Sequence, residues 1–215
     1  MTRGMLTLIV GTMFANKTGT LIHRIQTLRI FGKKRVLIFK PTIDTRSGKG
    51  KIKSTPSDGP SIELEALEIP DSDPFSIINE IKNQENEIGT RINVIAIDEI
   101  QFFPACSDLI KVVDFLLENS YDVIAAGLLR DFKREPFGST PLLFSLLDDK
   151  TNIVPLFSFC AKCGKPAFLP QRLDEDGKPA PYDSPQIKVG GRESYEARCH
   201  KCHILPKRPR LPHEQ

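Results

Sequence analysis

The sequence predicts an α/β fold, a parallel β-sheet covered by helices on both faces, followed by a small cysteine-bearing lobe. Short β-prone apolar segments alternate with segments whose apolar residues have helical spacing, and this alternation is typical of parallel sheets. The predicted strands are apolar at nearly every position, as expected for strands buried on both faces. After Phe159 the segments become short, rich in proline and glycine, and contain two Cys-x-x-Cys pairs. We therefore place a domain boundary there.

The predicted elements follow one another with clear start and stop signals. Leu21, Ile25 and Leu28 fall on one face of the first helix, and Gly32 ends it. A stretch rich in Pro, Gly, Ser and Lys between residues 41 and 60 is predicted to be a surface loop. In chain order we predict a strand at 5–10, a helix at 17–31, a strand at 35–40, a loop at 41–60, a short strand at 64–69, a helix at 74–86, a strand at 93–98, a helix at 105–120 and a strand at 122–127.

Three predicted strands end in residues that suit a ligand site. Gly11, Asp98 and Gly127 each lie at the carboxyl end of a strand. Ligands of open parallel sheets bind beyond these ends. We therefore expect the three residues to meet at one crevice.

Composition excludes some classes of protein. The 215 residues are 40% hydrophobic and 27% charged, with a net charge of +3, which is ordinary for a globular chain. No apolar run has the length of a membrane span, and no signal segment precedes the first strand, so we expect a cytoplasmic protein without a membrane partner. The basic residues Lys207, Arg208 and Arg210 are interpreted as part of a mobile tail, and a nucleic-acid partner is not expected.

A P-loop is predicted at Gly11-Thr-Met-Phe-Ala-Asn-Lys17-Thr18, between a strand and a helix. Backbone N–H groups of such a loop bind phosphates, the lysine neutralises the terminal phosphates and the threonine hydroxyl ligates Mg²⁺. Asn16 stands where the pattern has a second glycine. Because asparagine is one of the few other residues enriched at positive φ, the turn can form. An ordinary strand–turn–helix junction is the alternative interpretation.

Asp98 and Glu99 form a second acidic site at the end of an apolar strand. Asp98 is predicted to hold the Mg²⁺ shell, as a Walker B acid does. Glu99, one residue on, is expected to point to the other side of the strand and to act as a general base. The alternative for two adjacent acids at a strand end is a helix N-cap.

Two Cys-x-x-Cys pairs predict a structural zinc site. Four thiolates suit tetrahedral Zn²⁺, so Cys160, Cys163, Cys199 and Cys202 are the predicted ligands. A redox dithiol is the alternative for either pair alone, and His200 or His203 could replace a cysteine as ligand. Cys106 is predicted to be a small buried or half-buried residue.

Together these motifs resemble the thymidine kinase family of the P-loop, zinc-ribbon type, which is the cellular and bacterial type. The resemblance runs from about Leu6 to Cys202. It rests on several motifs in the same order: Gly11-Thr-Met-Phe, Asp44-Thr-Arg46, Asp98-Glu-Ile-Gln-Phe-Phe103, Asp131-Phe132, Pro136-Phe137-Gly138, and Gly190-Gly191 with Tyr195.

This resemblance implies transfer of the ATP γ-phosphoryl group to the 5′-hydroxyl of thymidine, with ATP, Mg²⁺ and Zn²⁺ as cofactors. Glu99 and Lys17 would be catalytic. The implied ATP and Mg²⁺ residues are Gly11, Thr12, Met13, Phe14, Ala15, Asn16, Lys17, Thr18, Asp44, Thr45, Arg46, Asp98, Glu99, Ile100 and Gln101. The implied nucleoside residues are Met13, Phe102, Leu128, Phe132, Phe137, Gln186, Ile187, Lys188, Val189, Gly190 and Tyr195. Phe132 would stack on the base, whereas Phe103 is expected to be core.

The family also implies further properties. Members are commonly tetramers, so a homo-oligomer, tetramer or dimer, is expected, with feedback inhibition by thymidine triphosphate (dTTP). We expect a P-loop NTPase (RecA-like) domain at residues 1–158, a zinc-binding lobe with a nucleoside-closing loop at 159–206, and a basic disordered tail at 207–215. Pro170 falls where the family usually has a threonine near the base's 5-methyl group, which could alter the preference between thymidine and deoxyuridine.

Two other functions are compatible with parts of the pattern. A nucleotide-binding pseudo-kinase would follow if Asn16 abolished turnover. A zinc-ribbon nucleic-acid-dependent ATPase is suggested by Asp-Glu-x-Gln, which also occurs in helicases, but the chain has room for one such ATPase lobe and has no basic stripe.

Overall fold

The structure, a computed structural model, describes residues 2–54, 60–106 and 108–209. In chain order its strands are β1 Leu6–Gly11, β2 Val36–Pro41, β3 Lys51–Ser54, β4 Ile62–Glu65, β5 Leu67–Ile69, β6 Val94–Ile97, β7 Asp122–Gly127, β8 Ile153–Leu156, β9 Ser158–Phe159, β10 Pro166–Ala167, β11 Leu169–Arg172 and β12 Tyr195–Arg198. The α-helices are α1 Lys17–Ile30, α2 Ser76–Ile88 and α3 Leu109–Glu118, and short 3₁₀ segments lie at Ile100–Phe102, Leu142–Leu146 and Lys150–Asn152.

Six strands form one parallel sheet in the order β5-β2-β6-β7-β1-β8. The predicted α/β class is therefore confirmed. Alternate residues of the central strands point to opposite faces, and both faces are buried. Leu8, Ile95 and Val123 pack on one face against α2 and α3. Ile9, Val94 and Ile124 pack on the other face against α1. This double burial explains why the strands are apolar at consecutive positions.

The predicted loop at residues 41–60 is wrong in part. Its residues 51–54 form β3, which pairs antiparallel with β4 and buries Ile52 against α1. The predicted single strand at 64–69 is two strands, since β4 belongs to this hairpin and β5 joins the edge of the central sheet. Alternating lysines in β3 obscured its β character, because they give the segment a loop-like composition. Residues 55–59 of the predicted loop lie outside the described residues.

The helix predicted at 105–120 is shorter, since α3 begins at Leu109 and ends at Glu118. Cys106 consequently lies in the turn before the helix and is exposed, so the prediction that it is buried was wrong. The boundaries of the other predicted helices and strands shift by up to three residues, and β7 has the predicted limits.

Three two-stranded sheets accompany the central one: β3 with β4, β9 with β10, and β11 with β12. The last two bring the cysteine pairs together, since Cys160 and Cys199 each follow a strand directly. Of the predicted basic tail, residues 210–215 lie outside the described residues. In the part of the chain that the structure describes, no helix is long and apolar enough to cross a bilayer.

Candidate active site

The P-loop forms the turn between β1 and α1. Asn16 has φ 59° and ψ 37°, the left-handed conformation expected from its place in the motif. Its side-chain Oδ1 accepts a hydrogen bond from the Ser54 hydroxyl of β3 at 3.2 Å. A Cβ atom at residue 19 would lie 2.1 Å from that oxygen and 2.7 Å from the Ser54 hydroxyl. Glycine at position 19 therefore leaves room for the asparagine at position 16.

Lys17 begins α1 and is buried, with its Nζ donating to the Thr12 carbonyl at 2.9 Å. Burial lowers the pKa of Lys17, although the carboxylates of Glu99 and Asp98 oppose the shift. The Thr18 hydroxyl donates to Asp98 Oδ2 at 2.8 Å. Hydroxyl and carboxylate oxygens are the ligands that Mg²⁺ takes from proteins. This pair therefore fits a magnesium ion beside the loop.

Asp98 and Glu99 follow β6 and are both buried. Burial, with the nearby Glu99 carboxylate, raises the pKa of Asp98 to about 7. Glu99 has φ 54°, the left-handed conformation, and opens the turn that leads into the 3₁₀ segment at Ile100–Phe102, so it lies beyond the extended backbone of β6. This turn brings the Glu99 carboxylate within hydrogen-bond contact of the Gln101 side chain. The side-chain Oε1 of Gln101 in turn accepts a hydrogen bond from the Leu128 N–H at 3.0 Å, so this one side chain joins the ends of β6 and β7.

Arg46 connects the loop after β2 to this acidic pair. Its Nε lies 2.6 Å from Asp44 Oδ1, and its second guanidinium nitrogen lies 2.7 Å from Glu99 Oε2. Burial opposes ionisation of Glu99, but the charges of Arg46 and Lys17 outweigh it and hold the pKa of Glu99 below its usual value. Glu99 is therefore an ionised carboxylate at neutral pH, which is the form a general base needs.

Four cationic side chains face the cleft beside the P-loop, which we call the P-loop cleft. They come from four separate segments of the chain and are Lys17, Arg46, Lys53 and Arg192. Lys17 and Arg46 were predicted from motifs. Lys53, Ser54 and Arg192 were missed, because no local motif signals the hairpin or the loop that brings them to the cleft.

A second space, the aromatic pocket, adjoins this cleft. Its apolar walls are Met13, Phe102, Leu128, Phe132, Phe137, Pro170 and Tyr195. The rings of Phe102 and Phe137 meet edge to face, with centroids 6.1 Å apart. Gln186 and Asp131 supply polar atoms and are joined by a 2.7 Å hydrogen bond. Asp131, a family motif residue, was not predicted to line the pocket.

The predicted nucleoside loop contributes unevenly to the aromatic pocket. Gln186, Lys188 and Gly190 line it, and the Tyr195 hydroxyl donates to the Lys188 carbonyl at 2.8 Å. Ile187 is exposed. Val189 packs against the cluster of Met13, Phe102, Leu128, Phe137 and Tyr195, which are also walls of the pocket.

Some of the other residues predicted for the site do not line either of these two spaces. Gly11 and Thr12 face a different groove, next to β8. Ala15 is buried, and Thr45 is exposed. Ile100 and Phe103 belong to the core of the central sheet, as expected for Phe103. Gly138 has φ 52°, and a Cβ there would lie 2.0 Å from the backbone carbonyl oxygen of Gln101.

The four paired cysteines converge at one point. The Sγ atoms of Cys160, Cys163, Cys199 and Cys202 lie within 4.8 Å of one another. Burial opposes ionisation of the Cys160 thiol, but backbone N–H groups outweigh it and lower its pKa to about 6. Backbone N–H groups also lower the pKa of Cys199, whereas the neighbouring thiols raise the pKa of Cys202 to about 12. Four sulfurs this close together fit a tetrahedral zinc ion. The two neighbouring histidines are not in this group: His200 lines the groove near β8, and His203 is bound to Arg134 and Pro170.

Comparison with known proteins gives a consistent result. The family described as "Thymidine kinase" matches residues 4–203 of this chain. A thymidine kinase of Thermococcus kodakarensis is 42% identical over 203 residues, which cover 94% of this chain and 95% of the relative. A thymidine kinase of Pyrobaculum aerophilum is 41% identical over 203 residues, covering 94% of this chain and the whole of the relative.

Proposed function

The chain belongs to the thymidine kinase family, and we infer from this that it transfers the γ-phosphoryl group of ATP to the 5′-hydroxyl of thymidine. One observation carries the inference at the level of the site. The P-loop cleft and the aromatic pocket share Met13, Arg46 and Leu128 as lining residues. A nucleoside in the pocket and phosphates in the cleft would therefore meet beside Glu99.

Glu99 is the proposed general base. It would accept the proton of the 5′-hydroxyl while the hydroxyl oxygen forms its bond to the γ-phosphorus and the bond to the β-phosphate oxygen breaks, leaving ADP and thymidine monophosphate (dTMP). Gln101 and Arg46 orient the Glu99 carboxylate through their contacts with it. Arg46 also keeps Glu99 ionised before the substrate arrives. Both effects favour proton transfer from a positioned hydroxyl.

The P-loop segment is the proposed site of the ATP phosphates. Its backbone N–H groups and the start of α1 favour anions. Lys17 is held near the loop through the Thr12 carbonyl, where its charge would be available to the terminal phosphates. Lys53 and Arg192 extend this positive lining from two other segments of the chain. Cations around the transferred group stabilise the charge that develops in the transition state.

Thr18 and Asp98 are the proposed holders of Mg²⁺, which when bound neutralises phosphate charge. The four cysteines are the proposed ligands of a structural Zn²⁺. This ion would lie in a lobe of residues 159–206, appended to a nucleotide domain at 1–158.

The aromatic pocket is the proposed thymidine site. Phe132 would stack on the base, and Gln186 to Gly190 with Tyr195 would close over it. Pro170 lines the same pocket and has no hydroxyl or N–H to offer. A preference that differs from the family's between thymidine and deoxyuridine would follow from this wall. We further propose a cytoplasmic homo-oligomer, tetramer or dimer, inhibited by dTTP, as the family resemblance implies.

A product assay tests the proposal. The purified chain is incubated with Mg-ATP and thymidine, and dTMP and ADP are measured chromatographically. Equal amounts of both products are expected, and Glu99→Gln should form them far more slowly than wild type. ATP binding without turnover would favour the pseudo-kinase instead. ATP hydrolysis stimulated by DNA but not by thymidine would favour the nucleic-acid-dependent ATPase. Family membership favours neither of these alternatives.

A further inference from the structure

His203, the residue after the last cysteine, is a buried polar side chain with both ring nitrogens engaged. Only 5% of the residue is exposed. Arg134 Nε lies 3.1 Å from His203 Nδ1, and His203 Nε2 lies 3.2 Å from the Pro170 carbonyl oxygen. The two partners belong to different segments, a turn after β7 and strand β11.

These contacts define the tautomer of the ring. A guanidinium N–H can only donate, so His203 Nδ1 must carry a lone pair and accept from Arg134. The ring proton therefore lies on Nε2, which donates to the Pro170 carbonyl. Arg134 also donates to the His203 carbonyl at 3.1 Å, so this one arginine holds both the ring and the backbone of the residue.

The next residue is attached to the same strand. The Gln171 side chain donates to the Ile204 carbonyl at 2.9 Å and accepts from the Ile204 N–H at 2.8 Å. Gln171 is 1% exposed. Side-chain contacts at two consecutive residues thus bind the segment after Cys202 to β11, whose strand partner is β12.

Both partners of His203 adjoin walls of the aromatic pocket. Pro170 itself lines the pocket, and Arg134 lies two residues after Phe132, which forms another wall. The His203 ring therefore spans from the β11 wall to the turn that bears Phe132. Cys202, one of the clustered cysteines, is the adjacent residue in the chain. Cys202 of the cysteine cluster is therefore followed directly by His203, whose ring contacts the pocket wall Pro170.

We propose that His203 is a positioning residue that sets the separation of the Pro170 and Phe132 walls and so couples the cysteine cluster to nucleoside affinity. The inference rests on the proposed function, because it takes the aromatic pocket to be the thymidine site. Among the described residues that line the P-loop cleft His203 is absent, so we expect its effect on the nucleoside to exceed its effect on ATP. A residue that served stability alone would affect both substrates together.

The test compares His203→Ala with His200→Ala, a control from the same cysteine pair whose ring is exposed. Loss of two buried hydrogen bonds is expected to raise the KM for thymidine about tenfold, with kcat and the KM for ATP within about twofold of wild type. Thymidine affinity by calorimetry should fall in parallel, and zinc content by mass spectrometry should be unchanged. His203→Gln, which keeps an N–H donor and a carbonyl acceptor, should recover much of the affinity.

Three outcomes would overturn the inference. They are an unchanged thymidine KM in His203→Ala, equal losses for thymidine and ATP, or a matching effect in His200→Ala. If His203→Ala does not fold, Arg134→Gln is measured instead. Its thymidine KM should rise about threefold, because the His203 ring keeps its bond to Pro170 and loses the one from Arg134, and no change would count against the inference. Wild-type protein that turns over no thymidine would refute the proposed function itself, which separates the two failures.

Discussion

Gly19→Ala probes the unusual P-loop most directly. The new Cβ would lie 2.1 Å from Asn16 Oδ1 and 2.7 Å from the Ser54 hydroxyl. Both atoms are at the ends of side chains, so they can rotate away, but the hydrogen bond that joins them would then be lost. Because the clash arises from Asn16 as well as from Ser54, Asn16→Gly should relieve much of it.

Two opposing terms determine the effect on stability. Replacing glycine by alanine within a helix raises the free energy of unfolding by about 0.5–1 kcal/mol. Loss of the Asn16–Ser54 bond costs about 0.5–1.5 kcal/mol. The free energy of unfolding of Gly19→Ala should therefore stay within about 1 kcal/mol of wild type. The KM for ATP should nevertheless rise several-fold, since Asn16 must reorient inside the loop proposed to bind the phosphates.

The assay is a double-mutant cycle over Gly19→Ala, Asn16→Gly and the combined variant. Unfolding in urea is followed by circular dichroism, because the chain has no tryptophan, and the KM for ATP is measured in parallel. We expect a coupling energy of about 0.5 kcal/mol or more and recovery of the ATP KM in the combined variant. Additive effects on both quantities would refute the reasoning.

Three further predictions concern the acidic pair and the cysteines. Glu99→Gln should lower kcat by about 10²–10⁴-fold in steady-state assays while ATP affinity is retained, as expected for loss of a general base. Arg46→Gln removes a charge that lowers the pKa of Glu99. Because the base must be ionised, the acid limb of the pH–rate profile should move to higher pH. Zinc chelation should unfold residues 159–206, seen by circular dichroism, and weaken thymidine binding measured by calorimetry.

Each of these has an outcome that contradicts it. A mild effect of Glu99→Gln would remove Glu99 as the base. An acid limb that stays in place in Arg46→Gln would show that Arg46 does not control its ionisation. Metal-free protein that binds thymidine normally would separate the cysteine cluster from the nucleoside pocket.

Much of the site could be predicted because its motifs are local. The P-loop lies between a strand and a helix that both have strong apolar patterns, and the left-handed conformation of Asn16 follows from residue type. The meeting of strand ends at one edge follows from the parallel sheet, which places Lys17 and Glu99 on the same cleft. The cysteine cluster follows from spacing.

The remainder depends on contacts between distant segments. Lys53 and Ser54 reach the cleft through a hairpin whose second strand begins at Ile62, and a loop-like composition hides that pairing. The turn conformation of Glu99 cannot be predicted from β6, because it depends on the 3₁₀ segment that follows the strand. The position of His203 directly after Cys202 suggested a possible zinc ligand. Only its contacts show that the ring is instead hydrogen-bonded to Arg134 and Pro170.

The position of β1 between β7 and β8 has a consequence for synthesis on the ribosome. Leu6 pairs with Val123 of β7, and Leu8 with Ile153 of β8. At roughly 5–20 residues per second, the strand that leads into the P-loop waits on the order of ten seconds for its neighbours. During that interval its apolar run is without its sheet and is a natural target for chaperones. Fragments released before β8 would leave one edge of β1 unpaired, so premature termination should yield aggregation-prone products.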